Sequence, residues 1–275
     1  LLVYDAINKI FIKNKILAPR LYNENYSNNY IEIQDFGNET ILNKLNKKKT
    51  IKFIYFKKII QLLNKIQLIK SRKIKTFKNK SYIIPEYNKK ILIREANLFC
   101  DWYVNNKFSR VRKDKFSKKF KKIIKKLTLN LKLKNDIFVH RDFHISNLMI
   151  IKNQIGVIDS QDALIGNKAY DLASLIDDVR FKTPKLFKDQ VFSFYTNKLK
   201  KLEIDKLKND FEILSVLRNL KIIGIFTRLA IRDGKKNYLK MIPYTWKLIH
   251  MRIKENNLFN DLENLLNQYF KKKIK

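Results

Sequence analysis

The sequence predicts an α+β fold: a helix-rich large lobe around one short β hairpin, preceded by an incomplete smaller lobe. Three observations carry this. Apolar residues recur at helical spacing through most of the chain. Two apolar runs, Leu148-Met149-Ile150-Ile151 and Ile155-Gly156-Val157-Ile158, are split by Lys152-Asn153-Gln154 and read as a tight hairpin. A second hairpin pattern near the start ends in a bend at Gly37. The expected division is residues 1–37 as a remnant of the N-terminal lobe with its hinge, and residues 38–275 as the helical C-terminal lobe.

Taken in order, Tyr4 to Ile16 places Ile7, Ile10, Phe11 and Ile16 on one helical phase, and Pro19 ends it. Arg20-Leu21-Tyr22 and Tyr30-Ile31-Glu32-Ile33 form a hairpin across an Asn-rich turn. Asp35-Phe36-Gly37 follows as a bend, and Gly37 supplies backbone freedom for a hinge. Thr50 caps a long helix with Ile54, Ile59, Ile60, Leu63, Ile66 and Ile69 inward. Residues 70–85 read as a loop. Tyr87 to Tyr103 is one amphipathic helix carrying Leu92, Leu98, Phe99 and Trp102. Phe116 to Leu133 is another, with Phe120, Ile123, Ile124 and Leu127 inside and lysines outside. Beyond Tyr170 the pattern is helical over 170–180, 185–201, 207–232, 238–255 and 257–270.

With 275 residues and 45% apolar content, the chain can bury one large core or two lobes. Cys100 stands alone, which excludes a disulfide framework and argues against a cysteine metal site. No apolar run is long enough to span a bilayer. Leu1-Leu2-Val3-Tyr4-Asp5 lacks the basic flank and apolar run of a signal peptide, so a cytoplasmic location is expected. The net charge of +35 would suit a nucleic-acid surface. However, Lys, Asn, Ile, Phe and Tyr share AT-rich codons, and Gly and Pro number only 5 and 4, so base composition explains the excess. The lysine runs are scattered opposite apolar helical positions, as on a solvated face. No specific nucleic-acid or membrane partner is expected.

The chemistry concentrates in His140-Arg141-Asp142-Phe143-His144-Ile145-Ser146-Asn147, followed after the hairpin by Asp159. The spacing lets Asp142 face an acceptor hydroxyl while Asn147 and Asp159 converge on magnesium bound to ATP. Asn147 offers a neutral amide oxygen and Asp159 an anionic one, and magnesium prefers such hard donors. Asp142 orients the attacking hydroxyl and needs no raised pKa. His140 and His144 are read as architecture, since no third soft ligand stands near them for zinc. Asp171, at a helix start, caps that helix and bonds back to the catalytic loop. Asp35-Phe36-Gly37 imitates a kinase metal motif, but it precedes the catalytic loop, where that motif follows it.

These residues resemble the aminoglycoside phosphotransferase and choline kinase superfamily, with its His-x-Asp-x-His-x-x-Asn loop and following metal Asp. Gly156-Val157-Ile158-Asp159-Ser160-Gln161-Asp162-Ala163, Gly166 and Tyr170-Asp171-Leu172-Ala173-Ser174-Leu175 narrow the resemblance to bacterial anomeric sugar kinases. Leu98-Phe99-Cys100-Asp101-Trp102-Tyr103 and Arg218 to Leu229, with Arg232-Asp233-Gly234-Lys235, agree. The resemblance covers residues 1–250. It implies a protein-kinase-like fold and ATP-dependent phosphorylation of N-acetylmuramate or N-acetylglucosamine in cell-wall recycling. By the same resemblance Asp142 is the catalytic base, and Asn147 and Asp159 hold magnesium. The group usually has Phe where Ser160 stands, which changes the packing around the metal Asp. A Gly-rich phosphate loop and a strand bearing a phosphate-binding Lys are not present ahead of Tyr4; the expectation is either a fragment or an abnormally short small lobe.

For the substrate pocket, Asp162, Gln161, Arg228, Arg232, Asp233 and Trp102 are candidates. Arg228 and Arg232 are four apart and share a helix face. They suit a lactyl carboxylate or a phosphate, or else one of them pairs with Asp233. Three rival readings stay open. An aminoglycoside, choline or other small-alcohol kinase would use identical chemistry with a different pocket. A truncated pseudokinase would bind without turnover. A polyanion-binding protein would bind DNA or RNA tightly and salt-sensitively.

Overall fold

The structure is a computed structural model and describes residues 1–47, 53–76 and 80–274, the last four of them by backbone alone. Contacts divide it into two compact units, Leu1–Tyr87 with Lys134–Lys200, and Asn88–Leu133 with Lys201–Lys275. Residues 1–37 thus fall in one unit with the catalytic segment.

In the first unit, helix α1 spans Leu2–Lys13 and buries Ala6, Ile7, Ile10 and Phe11 on one face. It stops before Pro19, because Lys15 takes a left-handed backbone (φ 57). Strands β1 (Leu21–Asn25) and β2 (Tyr30–Ile33) form the expected antiparallel hairpin, with Asn25 opposite Tyr30. Gly37, at φ 73, makes the bend after it. A short helix α2, Ile41–Lys47, was not anticipated. Its cap is the Thr40 hydroxyl, which accepts the Asn43 N–H at 3.0 Å.

Helix α3 spans Phe53–Gln67, and the expected cap Thr50 lies outside the described residues. Its inward face is Phe56, Ile59, Ile60, Leu63 and Ile66. Ile54, assigned inward from the sequence, is instead 54% exposed. The 3.6-residue period puts it opposite Phe56, and the larger ring takes the buried side. The region expected as a loop contains two short paired strands, β3 (Lys73–Lys75) and β4 (Ser81–Ile83). At three residues each they are too short to show an alternating pattern.

Around the catalytic segment the strands are β5 (Asn135–Val139), β6 (Leu148–Ile151), β7 (Gln154–Val157) and β8 (Leu164–Asn167). β6 pairs with β7, and β5 pairs with β8, both antiparallel. The β6–β7 turn is only two residues, Lys152 and Asn153, both left-handed (φ 44 and 66). That is the twist a two-residue hairpin requires. Gly156 sits where a Cβ would come within 2.8 Å of the Phe36 ring, so the bend after β2 packs directly on the hairpin. Helices α6 (Ala169–Ile176) and α7 (Lys185–Thr196) complete the unit.

The second unit is helical. Helix α4, Lys89–Ala96, is capped by Asn88, whose side-chain oxygen accepts the Ile91 N–H at 3.1 Å. The continuous helix expected from Tyr87 to Tyr103 breaks here. Phe99–Val104 forms a π-helical turn instead. The widened turn lets Phe99 and Tyr103 stack together (centroids 5.3 Å apart) and both meet Trp246. Helix α5 spans Arg110–Leu129 and buries Phe116, Phe120, Ile124 and Leu127. Helix α8, Lys201–Ile231, is followed by α9 (Ile242–Lys254) and α10 (Asn260–Ile274). Residues 210–220 of α8 are buried all round, so the helix has no polar stripe there. Cys100 is buried, and desolvation pushes its thiol up to about 12. No helix among the described residues is long and apolar enough to cross a membrane.

Gly224 of α8 lies against the backbone before the π-turn. A Cβ there would sit 2.3 Å from the Leu98 carbonyl. Backbone cannot swing aside as a side chain can. Gly224→Ala is therefore expected to destabilise the protein by at least about 1–3 kcal/mol, read as a lower urea midpoint. An unchanged midpoint contradicts this packing.

Candidate active site

The catalytic loop begins where β5 ends. His140 is fully buried, and its ring lies parallel to Phe11 of α1, with centroids 6.1 Å apart. Its Nε2 is 3.1 Å from the Ile158 carbonyl. A carbonyl only accepts, so Nε2 carries the proton. Nδ1 has no partner among the described residues. Burial is the largest influence on this imidazole and pushes its pKa below the usual value, against the pull of Asp142 and Asp159. His140 is thus a neutral strut from the loop to the residue preceding Asp159.

Arg141 is left-handed, at φ 76. Such a backbone persists only where its surroundings hold it. Asp171 holds it: its buried carboxylate accepts the His140 N–H at 2.7 Å and the Arg141 N–H at 2.9 Å. Asp171 lies in the first turn of α6, where the helix dipole favours negative charge. The Arg141 guanidinium reaches Asp162 at 3.2 Å and lies over the Tyr87 ring.

The loop then turns Asn147 toward Asp142 and Asp159. The Asn147 amide nitrogen donates to the Asp142 backbone carbonyl at 3.1 Å and stands 3.5 Å from a carboxylate oxygen of Asp159. Its other side-chain atom, Oδ1, is then the donor left for a cation. The Ile158 N–H donates to the Asn147 carbonyl at 3.1 Å, which ties the loop to the hairpin's outgoing end. His144 faces Ser146 through Nδ1 at 2.9 Å and approaches Asn147 through Nε2 at 3.4 Å. Asp159 is left-handed (φ 63, ψ 42), and its carboxylate accepts from Gln161 at 2.8 Å. Gln161, a substrate candidate from the sequence, thus gives one N–H to Asp159.

Asn147 and Asp159 line a cleft of about 610 Å³ together with Asp35, Phe36, Gly37, Met149, Ile158 and Tyr4. The bend imitating a metal motif thus contributes wall to the cleft. A larger concavity of about 730 Å³, lined by Lys15, Arg20, Lys58 and Lys65, contains none of the candidate residues. Chemistry, not size, selects the smaller cleft.

Among the described residues no three His, Cys, Asp or Glu side chains gather as a self-sufficient metal site. An amide oxygen and a carboxylate suit an ion that takes its remaining ligands from phosphate and water, as magnesium does. Asp142 is half-buried and meets Asn147 through its backbone carbonyl; it is not among the residues that line the cleft. Asn147 and Asp159 thus bring a neutral and an anionic oxygen to one cleft, donors of the kind phosphoryl transfer uses around a metal ion.

A protein-family model for the phosphotransferase enzyme family matches residues 55–203, more than half of the chain. The chain belongs to the phosphotransferase enzyme family. The N-acetylmuramate/N-acetylglucosamine kinase of Neisseria meningitidis is 29% identical over 249 residues, 87% of this chain and 71% of that protein. Among solved structures, Plasmodium vivax ethanolamine kinase superposes with a TM-score of 0.61 at 14% identity, over 97% of this chain and 73% of that one. An aminoglycoside phosphotransferase in its ADP-bound form gives 0.53 at 14% identity, over 88% and 80%. The fold is the protein-kinase-like fold of these phosphotransferases.

The remaining sequence candidates lie in the second unit. Arg232 pairs with its neighbour Asp233 through two bonds of 2.6 and 3.0 Å. The arginine holds the Asp233 carboxyl below its usual range. The Arg228 Nε is buried without a partner among the described residues, and Trp102 is half-buried on the π-turn. Two residues of the first unit escaped the sequence reading: Tyr4, which lines the cleft, and Asn8, which bonds Ser160 beside Asp159. The available signal was Asn8 itself, a polar residue beside Ile7 on the buried face of α1.

His140 makes the fold pH-sensitive. The unfolded chain protonates this imidazole near pH 6.5, whereas the folded protein keeps it neutral to lower pH. Its contribution is intact above that value and is lost as pH falls, because the unfolded state then binds more protons. Between about pH 7.5 and about pH 5.5, wild-type unfolding free energy should fall more than that of His140→Gln, the difference growing by at most about 1.4 kcal/mol per pH unit. Equal pH slopes in denaturant titrations of the two proteins would sink the assignment.

Proposed function

We propose that the chain is an ATP-dependent, magnesium-requiring kinase that phosphorylates a hydroxyl of an amino sugar. The acceptor is N-acetylmuramate or N-acetylglucosamine, taken at its anomeric hydroxyl, in cytoplasmic cell-wall recycling. The observation that carries the kinase reading is the linkage from the Asp142 carbonyl through the Asn147 amide to the Asp159 carboxylate, with Asn147 and Asp159 at the wall of one cleft. The acceptor class rests on the named activity of the relatives matched over most of the chain.

In this reading Asp142 orients the acceptor hydroxyl and takes its proton as that oxygen is phosphorylated. Asn147 and Asp159 would hold magnesium, which when bound neutralises charge on the phosphate oxygens. Asp171 and His140 keep the loop in register, and His144 steadies Asn147. Asp162, Arg228, Arg232 and Asp233 are proposed for the sugar side. Of these, Arg228 has an Nε still to be satisfied, while Arg232 and Asp233 are committed to each other.

Asp142→Asn is expected to leave nucleotide binding nearly intact while turnover falls about 10²–10⁴-fold. Asp159→Ala should weaken magnesium-dependent ATP binding as well. Steady-state kinetics with calorimetric nucleotide titration separates the two, and equal, mild effects contradict the roles. ADP formation measured against N-acetylated sugars, choline and an aminoglycoside tests the acceptor. Turnover of choline alone rejects the sugar assignment, and ATP binding without turnover of any acceptor favours a binding protein.

A further inference from the structure

Asp159 holds a left-handed backbone that a non-glycine residue keeps only when its neighbours enforce it. The enforcement starts at the next residue. Ser160 is fully buried, and its hydroxyl donates to the Asn8 side-chain oxygen at 2.6 Å. Asn8 is buried on α1, and its amide nitrogen donates to the Pro19 carbonyl at 3.2 Å. Both polar ends of Asn8 are thus committed, one to the metal turn and one to the segment after α1. That segment grips the hairpin a second time, where the Val157 N–H donates to the Leu17 carbonyl at 2.8 Å. The grip nearest Asp159 uses side chains only, so a single substitution can remove it.

Resting on the kinase reading above, we infer that the Asn8–Ser160 hydrogen bond is a positioning device: it ties α1 to the turn carrying Asp159 and sets that carboxylate for a divalent ion held jointly with Asn147. Neither residue touches the ion. Ser160 fixes the peptide that follows Asp159, and Asn8 fixes Ser160. Tyr4, one turn before Asn8 on α1, lines the same cleft as Asp159. The face of α1 that carries the tie therefore borders the site.

The test uses Ser160→Ala and Asn8→Leu, with thermal unfolding recorded for each. Calorimetry measures ATP affinity without divalent ion and then as a function of magnesium. Binding of ATP alone should stay within about twofold of wild type, while the magnesium constant weakens about 10-fold or more, as when a support of a metal ligand is lost. The double variant should be no worse than Asn8→Leu alone, because that change already removes the bond Ser160→Ala breaks, along with the one to Pro19. Ser160→Thr, which keeps a hydroxyl, should recover most of the magnesium affinity. If Ser160→Ala does not fold, Asn8→Leu and Ser160→Thr carry the same comparison. Lower thermal stability with an unaltered magnesium constant marks a merely structural bond and overturns the inference. A wild-type protein whose ATP affinity is indifferent to magnesium overturns the kinase reading, and this inference with it.

Discussion

The two hydrogen bonds received by the Asp171 carboxylate are what the site is built around. They capture the consecutive N–H groups of His140 and Arg141, the two residues that precede Asp142. Without an acceptor these buried donors would be costly, and the left-handed Arg141 would relax toward ordinary backbone. A carboxylate suits the role better than a neutral acceptor. Its bonds are charge-assisted, and it sits where the α6 dipole favours a negative charge. The sequence predicts Asp171 as both a helix cap and a bond back to the loop; the structure shows the bond to the loop, while the N-cap position of α6 is Lys168, without a side-chain cap bond.

From that anchor the geometry propagates through side-chain and main-chain bonds to the backbone of the loop and hairpin. His140 reaches the Ile158 carbonyl, and Asn147 exchanges contacts with both Asp142 and Ile158. The hairpin therefore carries Asp159 to the loop over a distance set by the Ile158–Asn147 backbone bond together with short, buried or half-buried side-chain bonds. The two-residue turn at Lys152 and Asn153 matters here, since a longer turn could let the strands slip in register. Phe36 closes the other side by packing on Gly156. A polar, solvent-reaching cleft can thus sit on a dry support.

The helices were readable where one face is apolar and the other charged, as in α1, α3 and α5. Their inward positions mostly agree with burial. Ile54 is an exception because periodicity alone cannot rank two apolar residues on opposite sides. The strands β3, β4, β5 and β8 were not anticipated. Each spans three to five residues and gains its pairing from a partner elsewhere in sequence; β5 and β8 are separated by the whole catalytic loop. The π-turn at Phe99–Val104 was equally hidden, since it answers to aromatic neighbours and to Gly224 of a distant helix.

What the sequence determined by itself was local: the order of His140, Asp142, Asn147 and Asp159, the hairpin between them, and hence the chemistry the segment can perform. Those features depend on residue types at short spacing, which the chain carries wherever it goes. Tertiary structure alone decided which partners hold them. That Asn8 meets Ser160, that Gln161 serves Asp159, and that Arg232 is committed to Asp233 follow from burial and hydrogen-bond satisfaction in three dimensions. A linear pattern contains no distances between residues far apart along it.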